Sequence, residues 1–431
     1  MSMSVTKKLD KPQVCVGHVA GLVPFGRIVE VALSTLFSFE ALFVLYLFAG
    51  RYKGDPRFRW VPVDLTALFF GLSVMAGMYV LARRGFKVRR KAFVLVLLAL
   101  AFVGYVLLSL TWTPGWSYAQ QKALYISVLA LWPLVACAVI IAQDRRRLVR
   151  FLILLVLLTG WMATESTVVY LSAPGYWFKT LLGGNYVGAG RVLGLGALII
   201  LAYELFLAKG FAKAVTVALF VFLVFILLIL GGRGPFFATL LGAAVPLFLG
   251  VRVSPPFSVV VRRYILYLLG LWLVCIAVIA FLVASGQATV TLARISLLLS
   301  SPYTGGSGIR LQLFVSAIDA WLKAPLYGHG IGAFPILAGF GDIRSYPHNL
   351  ILEILAELGL GGLFLFSAIV IYALRALGPL SIIRRDPLRI LLLMLFANVF
   401  FNAMVSGDIP DNRIVFAVLG LMTLPKGGKN G

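Results

Sequence analysis

The stretch AFVLVLLALAFVGYVLLSL, residues 92–110, contains no charged side chain and is long enough to cross a membrane as one helix. A helix needs about 20 largely apolar residues to span the hydrocarbon core of a bilayer. The rest of the 431-residue chain has the same character, because 61% of its residues are hydrophobic and only 12% are charged. Water-soluble domains contain about 25% charged residues. The composition therefore predicts an all-α integral membrane protein.

Apolar runs of this kind recur along the chain and predict twelve transmembrane helices with both termini in the cytoplasm. Three regions follow: residues 1–285 with the first nine helices, residues 286–348 as a long outer loop with amphipathic helices, and residues 349–431 with the last three helices and a short cytoplasmic tail. The predicted spans are residues 29–49, 61–82, 92–110, 123–142, 148–165, 192–208, 212–230, 235–251, 264–285, 350–374, 389–405 and 412–425.

The basic residues indicate which side of the membrane each loop occupies. The formal net charge is +23, a surplus that is also typical of nucleic-acid-binding proteins. In multispanning proteins, however, Lys and Arg accumulate in cytoplasmic loops. With both termini inside, most basic runs fall on that side, including RRGFKVRRK at residues 83–91. The charge thus predicts membrane topology and contact with anionic membrane lipids, and no nucleic-acid partner is expected.

A smaller set of basic residues falls on the outer side, against this trend. Positive charge on the outer face predicts an anionic ligand, although contact with lipid phosphates is the alternative for any single residue. Arginine suits such a ligand because its planar fork binds two phosphate oxygens at once. Arg191 is expected to open a helix, and Arg233 to lie in a tight glycine turn. The set comprises Arg51, Lys53, Arg57, Arg59, Lys179, Arg191, Arg233, Arg294, Arg310, Lys323 and Arg344.

The long outer loop contains a second recognisable pattern. RLQLFVSAIDAWLKAP, residues 310–325, has apolar side chains at helical spacing, which predicts a helix along the membrane surface that begins with Arg310. The next stretch, LYGHGIGAF at residues 326–334, is glycine-rich and is expected to turn, which would allow a sugar or phosphate to approach its backbone. His329, within it, is expected to be structural.

SYPHNLILEILAELGLGG, residues 345–362, places a histidine at the outer mouth of an apolar helix. The helix dipole disfavours a cation there, so His348 is expected to be neutral and able to accept a proton near pH 7. That property is what a general base requires, whereas the alternative is a histidine bonded to a loop carbonyl. Asn349, Glu353 and Glu357 share one helix face. The two glutamates are expected to look inward, and Asn349 and Glu353 are expected to support the site.

Taken together, these motifs resemble the O-antigen ligase superfamily. The likeness lies in PHNLILEILAELGLGG preceded by R…W…P…GHGIGAF, and it runs from about Arg191 to Gly362, with the twelve-helix layout covering the rest. The superfamily also contains O-antigen polymerases and bacterial protein O-oligosaccharyltransferases. The resemblance implies a GT-C-like glycosyltransferase in the bacterial inner membrane, with its active site facing the periplasm.

The implied reaction transfers a glycan from undecaprenyl pyrophosphate to a sugar hydroxyl of lipid A-core oligosaccharide, without metal or cofactor. On this resemblance His348 is the catalytic base, while Arg191, Arg233 and Arg310 bind the donor pyrophosphate. The sequence GGRG around Arg233 departs from relatives that often have serines before this arginine. The basic residues of loop 50–60 are expected to meet phosphates of the donor or the acceptor.

Three other functions stay open at this point. An O-antigen polymerase uses the same donor with a second lipid-linked glycan as acceptor, and a protein O-oligosaccharyltransferase glycosylates protein. A flippase for lipid-linked glycans is the alternative outside the enzymes. A transporter needs cationic residues along a path through the membrane, whereas the candidates gather at one face, so the pattern favours catalysis.

Overall fold

A computed structural model describes Thr35 and residues 38–172, 180–254, 258–284, 290–301 and 305–425. These ranges are mainly helical. In chain order the α-helices are α1 (Phe39–Phe48), α2 (Leu65–Arg83), α3 (Arg90–Leu108), α4 (Ser117–Ile141, with two π-helical turns), α5 (Arg145–Ser172), α6 (Tyr186–Phe206), α7 (Phe211–Leu230), α8 (Arg233–Gly250), α9 (Arg263–Ala284), α10 (Val290–Ser300), α11 (Gly305–Lys323), α12 (Phe334–Leu337), α13 (Leu350–Leu377), α14 (Leu380–Ile383), α15 (Pro387–Val405) and α16 (Arg413–Leu421).

Shorter elements connect these helices. Two antiparallel hairpins are present: β1 (Thr180–Leu181) pairs with β2 (Gly184–Asn185), and β3 (Val251–Ser254) pairs with β4 (Ser258–Val261). Single 3₁₀ turns lie at Ala49–Arg51, Pro56–Phe58 and Ser109–Thr111. The first hairpin precedes α6 and the second joins α8 to α9.

A helix lies within each of the twelve predicted spans. Ten helices in the described part of the chain are long and apolar enough to cross a membrane, which confirms an all-α, multi-pass membrane protein. The other two are α16, which has nine residues, and α1. Most of the predicted span before Phe39, like the end of the cytoplasmic tail after Pro425, lies outside the described residues.

Helix α6 lies at the centre of the bundle and packs against α5, α7, α8 and α15. Two of its glycines make the close approach possible. A Cβ atom at Gly196 would overlap the side chain of Thr159 on α5, and one at Gly194 would overlap Thr239 on α8. Larger side chains at these positions would force the helices apart, so α6 is held firmly inside the protein.

Helix α13 is interrupted, whereas the sequence predicted one continuous span over residues 350–374. Gly359 has φ 61° and ψ −161°, which breaks the helix after its first two turns. The loop before α12 fills the break, because Gly330 N donates to Glu357 O (2.7 Å) and Leu360 N donates to Pro325 O (2.8 Å). The backbone groups freed by the break therefore find partners inside the protein, as a membrane-embedded chain requires.

The same contacts correct the expectation for the glycine-rich stretch at residues 326–334. A Cβ atom at Gly328 would lie 2.4 Å from Glu357 O, and one at Gly330 would lie 2.6 Å from Thr113 Cα. These glycines let the loop pack against neighbouring backbone rather than against a ligand. His329 is structural, as predicted, and its Nε2 lies 2.8 Å from Ala320 O. The predicted helix over residues 310–325 is confirmed as α11.

We expect Gly359→Ala to lower the free energy of unfolding by more than about 2 kcal/mol, because alanine is strained at this φ and its methyl group would meet Gly328 N at 2.5 Å. Thermal unfolding of the detergent-purified protein, followed by size-exclusion chromatography, measures the change. Gly71→Ala is the matched control, since nothing lies within 4 Å of that position in α2. It should be neutral or stabilising by up to about 1 kcal/mol. Equal unfolding temperatures for the two variants would contradict the assigned role of Gly359.

Candidate functional site

The sequence predicted that His348 lies in the first turn of helix α13. In the structure it lies immediately before this helix. Asn349 is the N-cap residue, and its side chain accepts hydrogen bonds from Ile351 N and Leu352 N at 3.0 Å each. His348 itself has φ 59°, a left-handed conformation that is uncommon outside glycine. Its ring lies edge-on to Tyr346, with 4.6 Å between the ring centroids. The cap and the ring contact together hold the imidazole at the mouth of the helix.

Both ring nitrogens of His348 are free of hydrogen bonds within the described ranges, and Nδ1 is buried. His348 is therefore not bonded to a loop carbonyl in the described part of the chain, which was the alternative that the sequence left open. Burial, followed by the positive charges of Arg310 and Arg191, lowers the pKa of His348 from 6.5 to about 4. The imidazole is thus neutral at pH 7, as the sequence predicted. The cause is burial and the neighbouring arginines rather than the helix dipole.

Arg191 lies inside α6, five residues after its first residue, and not at the helix start that the sequence predicted. The side chain is 6% exposed. Its Nη2 donates to Ser406 O (2.7 Å) and to Asn402 O (3.3 Å). Its Nη1 donates to the Asn412 side chain (3.2 Å), while Nε is buried and finds no partner among the described residues. Arg191 therefore joins α6 to the end of α15, and two of its five N–H donors, one of them on Nε, have no partner among the described residues.

The connection between α15 and α16, residues 406–412, ties several parts of the site together. Arg344 Nε donates to Asp408 (3.0 Å) and its Nη2 donates to Asp411 (2.8 Å). Asn349 Nδ2 donates to Met404 O (3.1 Å) just before this connection. Residues 406–412 are not among the site residues predicted from the sequence. The signal was present, because SGDIPDN places two aspartates and an asparagine between the last two predicted spans.

Several arginines lower the pKa of the Asp411 carboxylate. Burial would raise its pKa, but the positive charges around it outweigh burial and lower the pKa below its ordinary value. Asp408 is the second acid here and pairs with Arg344. Four arginines against two aspartates leave two positive charges without a carboxylate partner. The arginines around Asp411 are Arg344, Arg51, Arg191 and Arg413.

Arg413 is a member of this group that sequence reasoning missed. It is 8% exposed, and its guanidinium lies 5.5 Å from the centroid of the Tyr46 ring. In the described part of the chain neither Arg413 nor Arg51 donates a side-chain hydrogen bond. A small cavity opens beside Arg191 at this place, and its lining includes Leu195, Asn398, Asn402, Asp411, Asn412 and Val415.

Arg233, Arg294 and Arg310 form a second basic group. Arg233 is the first residue of α8 and follows a left-handed turn at Gly231 (φ 82°), as the glycine pattern predicted. Its Nη1 donates to Arg294 O (3.0 Å), and Arg294 Nη1 donates to Gly231 O (2.9 Å). The charge of Arg310 acts on both Arg233 and His348. This group therefore lies on the same side of the bundle as His348.

The basic residues of loop 50–60 do not act as one cluster. Arg51 reaches the group around Asp411. Lys53 pairs with Asp64 at 2.6 Å, and Arg57 pairs with Asp55 and with Glu165. The Arg59 side chain is exposed. The structure thus brings Arg51 to the site, while acidic neighbours neutralise Lys53 and Arg57. The Arg57 guanidinium lies 2.9 Å from the Asp55 carboxylate and 2.8 Å from the Glu165 carboxylate.

These observations define a multi-pass membrane protein in which a neutral histidine is surrounded by arginines. Residues 218–367 match the family model described as O-Antigen ligase. This match confirms the resemblance to the O-antigen ligase family that the sequence motifs indicated. No curated protein matches the chain. The matched region includes Arg233, Arg310 and His348, while Arg191 precedes it.

The family match supports a glycosyltransferase of the O-antigen ligase or polymerase type. It also implies lipid-linked polysaccharide and lipid A-core as substrates in general. The half-buried imidazole, which has no hydrogen bond within the described ranges, together with the nearby guanidinium groups fits such a reaction, because glycosyl transfer is helped by a proton acceptor and by anion-binding groups.

Replacing Arg191 by alanine should change the free energy of unfolding more than replacing Arg310 does. We expect Arg191→Ala to lower the free energy of unfolding by about 2 kcal/mol or more, because it removes the buried hydrogen bonds to Ser406 O, Asn402 O and the Asn412 side chain that join α6 to the end of α15. Arg310→Ala should change it by less than about 0.5 kcal/mol, since the half-buried Arg310 side chain donates no hydrogen bond within the described residues. Thermal unfolding of both purified variants tests this difference, and equal destabilisation would contradict it.

Proposed function

We propose that this protein is an O-antigen ligase that transfers a glycan from undecaprenyl pyrophosphate to a sugar hydroxyl of lipid A-core. The reaction is metal-independent and inverts the anomeric configuration. One observation carries the proposal: the neutral imidazole of His348 lies under the influence of Arg191 and Arg310 in a chain that matches the O-antigen ligase family. The site faces the periplasm of a bacterial inner membrane, where lipid-linked glycan and lipid A-core meet.

His348 acts as the general base. The acceptor hydroxyl oxygen forms a bond to the anomeric carbon, its proton passes to the imidazole, and the carbon–oxygen bond to the pyrophosphate breaks. An imidazole whose conjugate acid has a pKa of about 4 is a weak base. It therefore takes the proton late, when bond formation has made the attacking hydroxyl strongly acidic. The ring nitrogens are available for this step because no group in the described part of the chain bonds to them, and Nδ1 is buried without a partner there.

The arginines stabilise the departing pyrophosphate. Cleavage transfers negative charge to the phosphate oxygens, and guanidinium groups already in place stabilise that charge without reorganisation. Arg233 and Arg310 serve here together with Arg191, whose free Nε is one available donor. The group around Asp411 carries two positive charges in excess of its two aspartates, which suits the charge of a pyrophosphate diester. Arg51 belongs to this group and is the residue of loop 50–60 that contacts phosphate.

The rival functions differ in acceptor or in class. A polymerase shares the donor and the chemistry but extends a second lipid-linked glycan, and a protein O-oligosaccharyltransferase uses a protein hydroxyl. A flippase would need basic residues along a path through the bundle. The described arginines that act on His348 and Asp411 instead gather around one mouth of the bundle, which supports catalysis.

Purified protein mixed with polyprenyl-pyrophosphate glycan and rough lipopolysaccharide, with excess chelator, tests the proposal. We expect glycan-bearing lipopolysaccharide on a gel, and His348→Ala should abolish it while protein amount and donor binding persist. Lys87→Ala is the control, because its exposed side chain lies in the run at residues 83–91, which the sequence places on the opposite, cytoplasmic side. Longer lipid-linked chains without modified lipopolysaccharide would identify a polymerase instead. Loss of activity in chelator that Mg²⁺ restores would contradict the metal-independent reaction.

The pH dependence of kcat/KM tests the role of His348. A base must be unprotonated, and the lowered pKa keeps His348 neutral until the pH falls to about 4. Transfer should therefore stay level from about pH 7 to 5 and decline near pH 4. Arg310→Ala removes a positive charge that lowers this pKa, so the acid limb of the residual activity should move to higher pH. An acid limb near pH 6.5 in both proteins would contradict the assignment.

A further inference from the structure

Three charged side chains meet behind the site and are completely buried. Lys122 on α4 lies between Glu353 and Glu357 on α13, and all three side chains have 0% exposure. Lys122 Nζ donates to both carboxylate oxygens of Glu357 at 2.7 Å and lies 2.6 Å from Glu353 Oε1. The sequence predicted that the glutamates face inward, but it did not select Lys122.

The charges of this cluster do not balance if both glutamates are ionised. One ammonium then faces two carboxylates, which leaves a net negative charge in a place without water contact. An uncompensated buried charge is so costly that such a group normally binds or releases a proton. Asp408 adds another negative charge that acts on Glu353. One proton on a glutamate restores neutrality to the cluster.

The geometry places that proton on Glu353. Both oxygens of Glu357 are bonded to Lys122, so this residue is the ionised partner. Glu353 Oε1 accepts from Lys122 and also from Ile409 N (3.4 Å), as a carbonyl oxygen does. Glu353 Oε2 is buried and has no partner in the described part of the chain. An unpartnered hydroxyl is far less costly than an unpartnered carboxylate oxygen, so Oε2 carries the hydrogen.

We propose that Glu353 is a neutral carboxylic acid at pH 7 and acts as a positioning residue for His348. Glu353 lies in the first turns of α13, directly after His348 and the capping Asn349. Its contact with Ile409 joins α13 to the connection at residues 406–412, whose neighbours include Arg191 and Arg344. The neutral acid holds the imidazole in position relative to these arginines and adds no negative charge beside them. The effect on glycan transfer rests on the proposed function, whereas the protonation does not.

Infrared spectroscopy of the purified full-length protein counts the protons without any assay of activity. At pH 7 the difference spectrum of the wild type minus Glu353→Gln should show the carbonyl stretch of one buried carboxylic acid, a band that the variant has lost. Lys122→Met removes the positive charge, so both glutamates should become acids and the band should about double. Glu165→Gln is the control, because that glutamate is ion-paired with Arg57 and its loss should leave the band unchanged. A wild type without the band overturns the protonation of Glu353.

The two glutamates should also differ in what an amide replacement does. Glutamine resembles a neutral acid, so Glu353→Gln should keep the unfolding temperature of the wild type. Glu357→Gln replaces the ion partner of Lys122 and should unfold at a lower temperature. The reverse order would assign the proton to Glu357 and overturn the proposal.

Kinetics test the positioning role. Glu353→Ala should lower kcat on the order of 10- to 100-fold with little change in the KM for donor, because the base is displaced while the arginines remain. Glu353→Gln should restore most of kcat. Equal loss in both variants would overturn the positioning role. A wild type that shows the infrared band but transfers no glycan would sink the proposed function and leave the protonation standing.

Discussion

Arg191 is a guanidinium buried within a helix of the bundle, and a buried guanidinium needs hydrogen-bond partners. The carbonyls of Asn402 and Ser406 and the side chain of Asn412 accept hydrogen bonds from it, while its Nε has no partner among the described residues. These partners fix the end of α15 and the connection to α16 against α6. The close packing at Gly194 and Gly196 then holds α6 against its other neighbours. The site is rigid because satisfying one buried charge orders the segments around it.

The same segment determines the electrostatics of the site. The aspartates at residues 408 and 411 bind Arg344 and leave an excess of positive charge among the surrounding arginines. Burial, followed by the charges of Arg310 and Arg191, keeps the His348 imidazole neutral, while Asp411 acts in the opposite direction. A proton acceptor and anion-binding groups thus support each other, because the charge that attracts phosphate also prevents the histidine from becoming a cation. The left-handed backbone at His348 is maintained by the Asn349 cap and the contact with Tyr346.

Helix α13 connects the site to the protein interior. Its break at Gly359 frees backbone groups that the loop at residues 325–330 satisfies, so the glycines of that loop serve packing. Below the break lies the continuous apolar part of the span, and above it lie the two glutamates that hold Lys122. The short upper segment therefore presents His348 at one end and is fastened by buried charge along one face.

Much of this protein follows from the order of its residues alone. Long apolar runs identify the helices because the bilayer requires them, and the motif around His348, with the arginines kept on one side, identified the family. Other features depend on contacts between residues distant in sequence. The separation of Arg51 from Lys53 and Arg57 arises because Asp64, Asp55 and Glu165 neutralise the latter two. The roles of Lys122, Arg413 and residues 406–412 arise in the same way, since burial and charge pairing are properties of neighbours in space that no local pattern records.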